Sequence, residues 1–376
     1  MKSNIKAKSK KKDKYLSEQI ITYLGNKRSL LDFIGSALDI VKSKLNKDKL
    51  DIVDMFSGSG IVSRYFKEHA NKLIANDLED YCYTLNKCYL ENKNNVDFNE
   101  LQNNIDIINN KINQNGYREG FIAKLYAPKD DQNIKLKERV FYTTRNAKFL
   151  DTARQLITEI VPKDKQHLLI APLITEASIK TNTPGVFKGF YKNNLTGIGQ
   201  YGGNGKNALK RIMGDIELQL PILSESDCKV ELYKEEANVL AQKLEHVDLV
   251  YLDPPYNQHP YGSNYFMLNL INSYQEPTKI SKISGIAQGW NKSDFNNIKT
   301  SFKAMKDLCT NLETDFLLIS FNSEGFISSQ QMLDMLKEIG KVEILETKYN
   351  AFKGSRNLNK RSTHVKEYLY LVDKRK

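Results

Sequence analysis

Residues 247–256 read VDLVYLDPPY. An apolar-rich run ends abruptly in an acid and two prolines, and a short run so bounded reads as a buried strand. The prolines fix the backbone and remove two N–H donors, so the carbonyls nearby face outward as acceptors. In open parallel sheets ligands bind beyond the carboxyl ends of the strands, and Asp253-Pro254-Pro255-Tyr256 stands at such an end. An amine with two hydrogens needs two acceptors; the Asp253 carboxylate and the Pro254 carbonyl can supply them, with the Tyr256 ring available for stacking. The plainer reading of the same letters is a proline-stiffened turn with a capping aspartate.

Outward from this tetrad, six more segments have the same strand character: 50–56, 72–76, 229–233, 315–321, 342–350 and 367–372. Helical patterns at 27–45, 60–70, 78–92, 235–245, 295–312 and 328–339 fall between most of them. Alternation of this kind predicts an α/β fold, a parallel sheet with helices on both faces. The last two strands are joined by a polar loop, 353–366, without a helical pattern, which predicts an antiparallel hairpin closing the sheet.

A second motif follows the first strand. Asp54-Met55-Phe56-Ser57-Gly58-Ser59-Gly60 opens a helix, and small residues there let the backbone approach a ligand at a helix N-terminus. Asn76-Asp77 ends the next strand, 17 residues beyond Gly60, where a carboxylate can accept from ribose hydroxyls. A nicotinamide site uses a similar arrangement but leaves Asp253–Tyr256 without a purpose.

Together these residues resemble the amino-methyltransferases, specifically the adenine-N6 DNA methyltransferases of the alpha (D12, Dam-like) group and, within it, modification methylases of type II restriction systems. The resemblance covers roughly 20–92 and 226–372. It implies a seven-stranded, Rossmann-like S-adenosylmethionine-dependent methyltransferase sheet with an inserted target-recognition domain. It implies that Asp253, Pro254, Pro255 and Tyr256 are catalytic and that the methyl goes to the exocyclic amine of a flipped adenine. Asp54, Phe56, Gly58, Gly60 and Asp77 match the donor motif position by position. In the segment Tyr23-Leu24-Gly25-Asn26-Lys27 the resemblance gives Tyr23 a face for the sulfonium and Lys27 a pairing with the methionine carboxylate. Without it, the segment reads as a helix N-terminus with a solvated lysine. Of Glu235 and Glu236, Glu236 is the candidate donor contact. The implied cofactor is S-adenosyl-L-methionine, with no metal.

The alternation breaks between residues 96 and 225, too long a stretch for a loop. The expected organisation is a basic flexible tail at 1–19, a catalytic domain at 20–95 and 226–376, and a DNA-reading insert at 96–225. Residues 93–115 are rich in Asn and 137–180 carry two helical patterns; 182–205 hold seven of the twenty glycines. Basic and aromatic groups interleave there, and Lys188, Tyr191, Lys192, Lys206 and Arg211 are candidate DNA contacts; a glycine-rich surface loop is the alternative. Arg139, Arg145 and Arg154 are further candidates for a guanine edge. Tyr265 is a packing or stacking candidate beside the base, His259 a lip or surface residue. Arg356 and Arg361 in the last loop are candidates for phosphate.

The chain has 376 residues and a formal net charge of +11, of which residues 1–14, with seven lysines and one aspartate, hold +6. That run is either a solvated tail or an arm resting on phosphates. The expected partner is double-stranded DNA, with a cognate restriction endonuclease as a separately acting candidate; the sequence sets no oligomeric state. No apolar run is long enough for a membrane span and no secretory signal precedes the fold. The four cysteines lack metal-ligand spacing and read as reduced thiols of a cytoplasmic protein. None of the nine prolines precedes a cysteine, so the Pro-Cys nucleophile of cytosine-C5 enzymes is absent. An RNA adenine methyltransferase and a non-catalytic DNA-binding protein with a degenerate fold are the competing functions.

Overall fold

The computed structural model of the chain describes residues 14–322, 325–350 and 364–375. Seven strands form one sheet: β1 Leu50–Asp54, β2 Ala70–Asn76, β3 Lys229–Tyr233, β4 Val247–Leu252, β5 Thr314–Asn322, β6 Lys341–Asn350 and β7 His364–Asp373. Their order is β3-β2-β1-β4-β5-β7-β6. Strands β1 to β5 run parallel, and β7 lies antiparallel to both β5 and β6. The alternation and the closing hairpin expected from the sequence are both present.

Successive strand residues point to opposite faces, and this divides the sheet's side chains between two cores. Val53, Ile74, Val250 and Leu317 pack beneath helices Ala237–Ala241, Ser301–Asn311 and Ser329–Lys337. Ile52, Leu73, Leu249 and Leu318 pack beneath helices Leu31–Leu45 and Ile61–Lys67. Because β4 is covered on both sides, all six of its residues are buried, which explains its near-continuous apolar run.

A third core belongs to the region between β2 and β3 and to the stretch after β4. Helices Phe98–Asn115, Phe121–Tyr126, Thr144–Ile160 and His167–Lys180 bury their apolar faces against helices Asp80–Tyr89 and Phe266–Ser273. The Asn-rich stretch is helical from Phe98, with Asp97 as its cap accepting from the Asn99 and Glu100 amides. Its buried Leu101, Ile105, Ile108 and Ile112 lie on one face at helical spacing. The packed chain includes Lys14–Ser17, where Tyr15 is buried and donates to the Tyr89 carbonyl at 2.6 Å. All four cysteines are free and buried, and no described helix is long and apolar enough to cross a membrane.

Arginines in this region serve the fold. Arg154 is 4% exposed, and its guanidinium donates to the Ile271 carbonyl at 2.7 Å and the Asn272 carbonyl at 3.1 Å. It satisfies the last carbonyls of helix Phe266–Ser273, which have no intrahelical donor. Arg139 likewise bonds the carbonyls of Leu125 and Ile283 at 3.2 Å each, whereas Arg145 is exposed and pairs with Asp215 on the surface at 2.7 Å. Replacement of Arg154 with Leu strands one buried and one part-buried carbonyl and is expected to lower unfolding free energy by about 1–3 kcal/mol. Urea denaturation measures this. An unchanged midpoint would show that the guanidinium contributes nothing to holding the helices together.

Candidate active site

Strand order reverses between β1 and β4. From β1 the chain runs outward to β2 and β3, and from β4 it runs the other way to β5. A crevice opens at such a switch point, beyond the carboxyl ends of the two strands. Here it is a cleft of about 900 Å³.

The turn after β1 forms its floor. Gly58 and Gly60 have φ of +52° and +79°, a region that L side chains rarely adopt. A Cβ on Gly58 would stand 2.8 Å from the Tyr23 ring, and one on Gly60 2.5 Å from Asn86 Oδ1. Glycine is therefore required twice over. The Gly58 amide donates to Asp77 Oδ2 at 2.8 Å, and Asp77 Oδ1 accepts from the Glu79 amide at 2.9 Å, so the carboxylate just after β2 braces the turn. Asp54 is 1% exposed; Ser63 Oγ donates to its Oδ2 at 2.6 Å, while its Oδ1 is buried without a partner. Burial raises the Asp54 carboxyl to about 7. Phe56 meets Phe295 edge-on at 5.1 Å.

Tyr23 and Tyr261 line one wall, with the buried Tyr265 stacked behind them. Tyr23 stacks on Tyr261 at 4.9 Å and on Tyr265 at 5.0 Å. The Tyr265 hydroxyl accepts from the Leu24 amide at 2.8 Å, and that of Tyr261 donates to the Leu24 carbonyl at 3.1 Å. The segment before helix Leu31–Leu45 is thus clamped onto the loop that follows β4. Opposite, the Glu236 side chain lines the cleft and caps helix Ala237–Ala241 by accepting from Asn238 and Val239 amides. Asn291, Ser293 and Asn296 also line the cleft; Asn291 Nδ2 donates to the Leu78 carbonyl at 2.9 Å and Asn296 Nδ2 to that of Asn257 at 2.8 Å.

Asp253 and Pro255 line the same cleft, while Pro254 and Tyr256 pack toward a smaller pocket of about 200 Å³ beneath the turn. Tyr256 meets Phe321 edge-on at 6.0 Å. Lys27, 5% exposed, brings its Nζ within 3.0 Å of Asp253 Oδ1 and 3.3 Å of Glu367 Oε1. Burial alone would depress the ammonium, but the two carboxylates outweigh it and hold Lys27 well above its ordinary value. Burial raises Asp253 to about 6; Lys27 opposes the rise and Glu367 adds to it.

Of the donor residues expected from the sequence, Tyr23, Lys27, Asp54, Phe56 and Gly58 line the cleft, as do Asp77 and Glu236; Gly60 lies just beneath, as the cap of helix Ile61–Lys67. Lys27 meets carboxylates of the protein itself, whereas it was expected to meet one of a ligand. Sequence reasoning missed Glu79, Glu367 and Asn291. Glu79 is 4% exposed, accepts from Asn269 Nδ2 at 2.7 Å and is raised to about 7 by burial. At the first turn of a helix it looked like an ordinary N-terminal acid. Glu367 had one signal, a charge opening an otherwise apolar strand.

The glycine-rich segment docks on this site through the Phe187 amide, which donates to the Asn264 carbonyl at 2.7 Å. Lys188 Nζ lies 3.2 Å from His259 Nδ1, beside the loop beyond Tyr256. Lys192 sits 4.9 Å over the Phe190 ring, Tyr191 is half-buried against Gly203, and Lys206 is exposed. Two expected DNA contacts are corrected. Tyr265 is fully buried in the tyrosine stack, so it packs and meets no base. Arg211 spends its guanidinium on the carbonyls of Ile179, Thr181 and Thr183, which fixes the segment's entry. Arg356 and Arg361 fall outside the described residues, as does the lysine-rich run at 1–13. Among the described residues no group of three or more His, Cys, Asp or Glu side chains could hold a metal ion.

Comparison with known proteins agrees with this geometry. The sequence profile of the D12 class N6 adenine-specific DNA methyltransferases matches residues 23–335. Type II methyltransferase M.NlaIII of Neisseria lactamica is 28% identical over 362 residues, covering 94% of this chain and 99% of that protein. Type II methyltransferase M.CviAII of Paramecium bursaria Chlorella virus 1 is 28% identical over 360 residues, 94% of this chain and 98% of its own. Modification methylase StsI of Streptococcus sanguinis is 27% identical over 367 residues, but the match spans 52% of that longer protein. With the profile spanning the turn after β1 and the tetrad after β4 alike, the chain belongs to the D12 class of N6 adenine-specific DNA methyltransferases and is a site-specific DNA adenine methyltransferase of restriction-modification type.

Proposed function

We propose that the cleft binds S-adenosyl-L-methionine and that Asp253, Pro254, Pro255 and Tyr256 receive an adenine rotated out of duplex DNA. One observation carries this reading: the Asp253 carboxyl and the Gly58 turn, from adjacent strands, open onto the same cleft. The residues present fit the donor. Asp54 Oδ1 is a buried acceptor without a partner, suited to the ammonium of a methionine end. Asp77 keeps lone pairs beyond its two amide bonds for ribose hydroxyls. Glu236 faces the same space, and Tyr23 and Phe56 offer aromatic faces to a cation.

When bound, the donor supplies an electrophilic methyl group. The protein's part is to present the amine. The Asp253 carboxylate and the Pro254 carbonyl accept the two N6 hydrogens, which directs the nitrogen lone pair toward the donor side of the cleft. Tyr256 stacks on the base and offsets part of the unstacking, which costs about a few kcal/mol. Lys27, held by two carboxylates, serves Asp253 and not the donor. Alignment and fixed charges provide the rate.

Residues 96–225 form the DNA-reading insert in this scheme. Lys188, Lys192 and Lys206 contact phosphates and Tyr191 offers a ring at the duplex; Lys188 stands nearest the catalytic loop. Arg356, Arg361 and the lysine-rich run at 1–13 are further candidates for phosphate on charge alone. A cognate restriction endonuclease acts separately on the same site.

Replacement of Asp253 with Ala should lower methyl transfer about 10²–10³-fold, the effect of losing a preorganised charge at the reacting atom, with donor affinity nearly unchanged. Tritium transfer to plasmid DNA and calorimetric binding measure the two, and full transfer in the variant would remove the tetrad from the chemistry. Replacement of Asp77 with Ala should raise the donor dissociation constant about ten- to a hundredfold through loss of charged hydrogen bonds; an unchanged constant would sink its ribose role.

The pH dependence follows from Asp253. Its carboxyl lies at about 6, and only the ionised form keeps both oxygens as acceptors. The transfer rate should therefore climb as pH rises through about 6 and level off above it. A single-turnover rate that is flat between pH 5 and pH 8, about a unit or more either side, would contradict the assignment.

A further inference from the structure

Glu367 stands in β7, far from the cleft's glycine turn, and is 3% exposed. Ser320 Oγ on neighbouring β5 donates to its Oε1 at 2.7 Å, and the same oxygen lies 3.3 Å from Lys27 Nζ. Lys27 in turn reaches Asp253 Oδ1 at 3.0 Å. One buried ammonium is therefore divided between a carboxylate that faces the cleft and one that faces the interior.

We propose that Glu367 is a positioning residue for methyl transfer: acting through Lys27, it fixes the orientation of the Asp253 carboxylate and preserves its strength as an acceptor. The proposal rests on the reading of Asp253 as acceptor for the adenine amine. A lone buried Lys–Asp pair would draw the ammonium wholly onto Asp253. That would occupy one oxygen and lower the basicity of the other, because attraction between charges strengthens away from water. Glu367 competes for the same ammonium, so Asp253 is held in place without being neutralised. Ser320 keeps Glu367 from turning away.

The other titratable groups facing Asp253 do not substitute for this pair. Tyr251 on β4 and Tyr256 and Tyr261 from the loop beyond it all have hydroxyls raised above their ordinary value by burial and stay neutral. Asp54 on β1, raised to about 7 by burial, is mostly protonated in the range where Asp253 titrates and offers it no counter-ion. Lys27 is the cation acting on Asp253, and Glu367 the carboxylate that shares it.

Opposite displacements of the acid limb test the idea, measured as single-turnover tritium transfer by the full chain to plasmid DNA. In Glu367→Gln the undivided ammonium should move the limb to lower pH by about 1 unit, and in Lys27→Met the two facing carboxylates should move it up by about 1 unit. Glu367→Gln should also lower kcat about tenfold with the KM for S-adenosyl-L-methionine unchanged, the pattern of an interaction felt in the transition state alone. A merely structural ion pair would change thermal stability and leave both limbs in place, and limbs that stay put or move together overturn the proposal. Should Glu367→Gln fail to fold, the pair Lys27→Met with Glu367→Leu removes the two innermost charges together and leaves only Asp253, which opens onto the cleft. Its limb should lie below that of Lys27→Met alone, and equal limbs overturn the proposal. If instead Asp253→Ala transfers methyl at the full rate, the underlying reading of Asp253 fails, a result separate from any of these.

Discussion

Strands β1 and β4 are hydrogen-bonded neighbours, yet the chain leaves them in opposite directions across the sheet. Helices that follow a parallel strand cover the sheet on the side toward which the chain proceeds. Where the two directions diverge, no helix closes the gap, and the ends of both strands stay open. The whole candidate site hangs on that geometry. Asp54 ends β1 and Asp253 follows β4, so one crevice receives two acidic strand ends without any long loop having to deliver them. The apolar alternation that drives the sheet together thus sets the separation of the two acids that line the cleft.

An opening of this kind is stabilised at the expense of polar burial, and the cleft shows it. Asp54, Asp77, Glu79 and Asp253 all have carboxyls raised by burial. A carboxyl raised in the fold destabilises it progressively as pH climbs from about 4, the unfolded value, to the folded one. For Asp54 and Glu79 that window reaches about 7. Core packing has to offset this, and the three apolar clusters around the sheet and the inserted helices provide the offset. Perturbed acids gathered in one cleft mark a working site more often than a structural one.

The pattern was legible in the sequence where a local rule carried it. Val247–Tyr256 and Asp54–Gly60 could be read because strand, breaker and small-residue turn lie within a dozen positions of one another. Helix Phe98–Asn115 was hidden by its asparagines, although Leu101, Ile105, Ile108 and Ile112 repeat at helical spacing. Charge was the least legible property. Arg154 and Arg211 look like nucleic-acid ligands in a list of residues, and only the fold reveals carbonyls waiting for them. Tyr265 followed the catalytic motif closely enough to suggest a base contact, but its hydroxyl is taken by Leu24 and its ring by Tyr23. Lys27 and Glu367 are separated by almost the whole sheet in sequence, so no spacing argument could join them.

The same electrostatics bear on why such a cleft would suit a donor with a sulfonium. A pocket lined by carboxyls that resist ionisation is a poor host for an anion and a weak one for a neutral ligand. A cation entering it stabilises each carboxylate and relieves the repulsion among Asp54, Asp77 and Asp253. After transfer the sulfur is neutral, and that relief is withdrawn. On the proposed reading, the raised carboxyls of the cleft favour the charged donor over its neutral product. Stability given up at the ends of β1 and β4 is, on this view, what separates substrate from product.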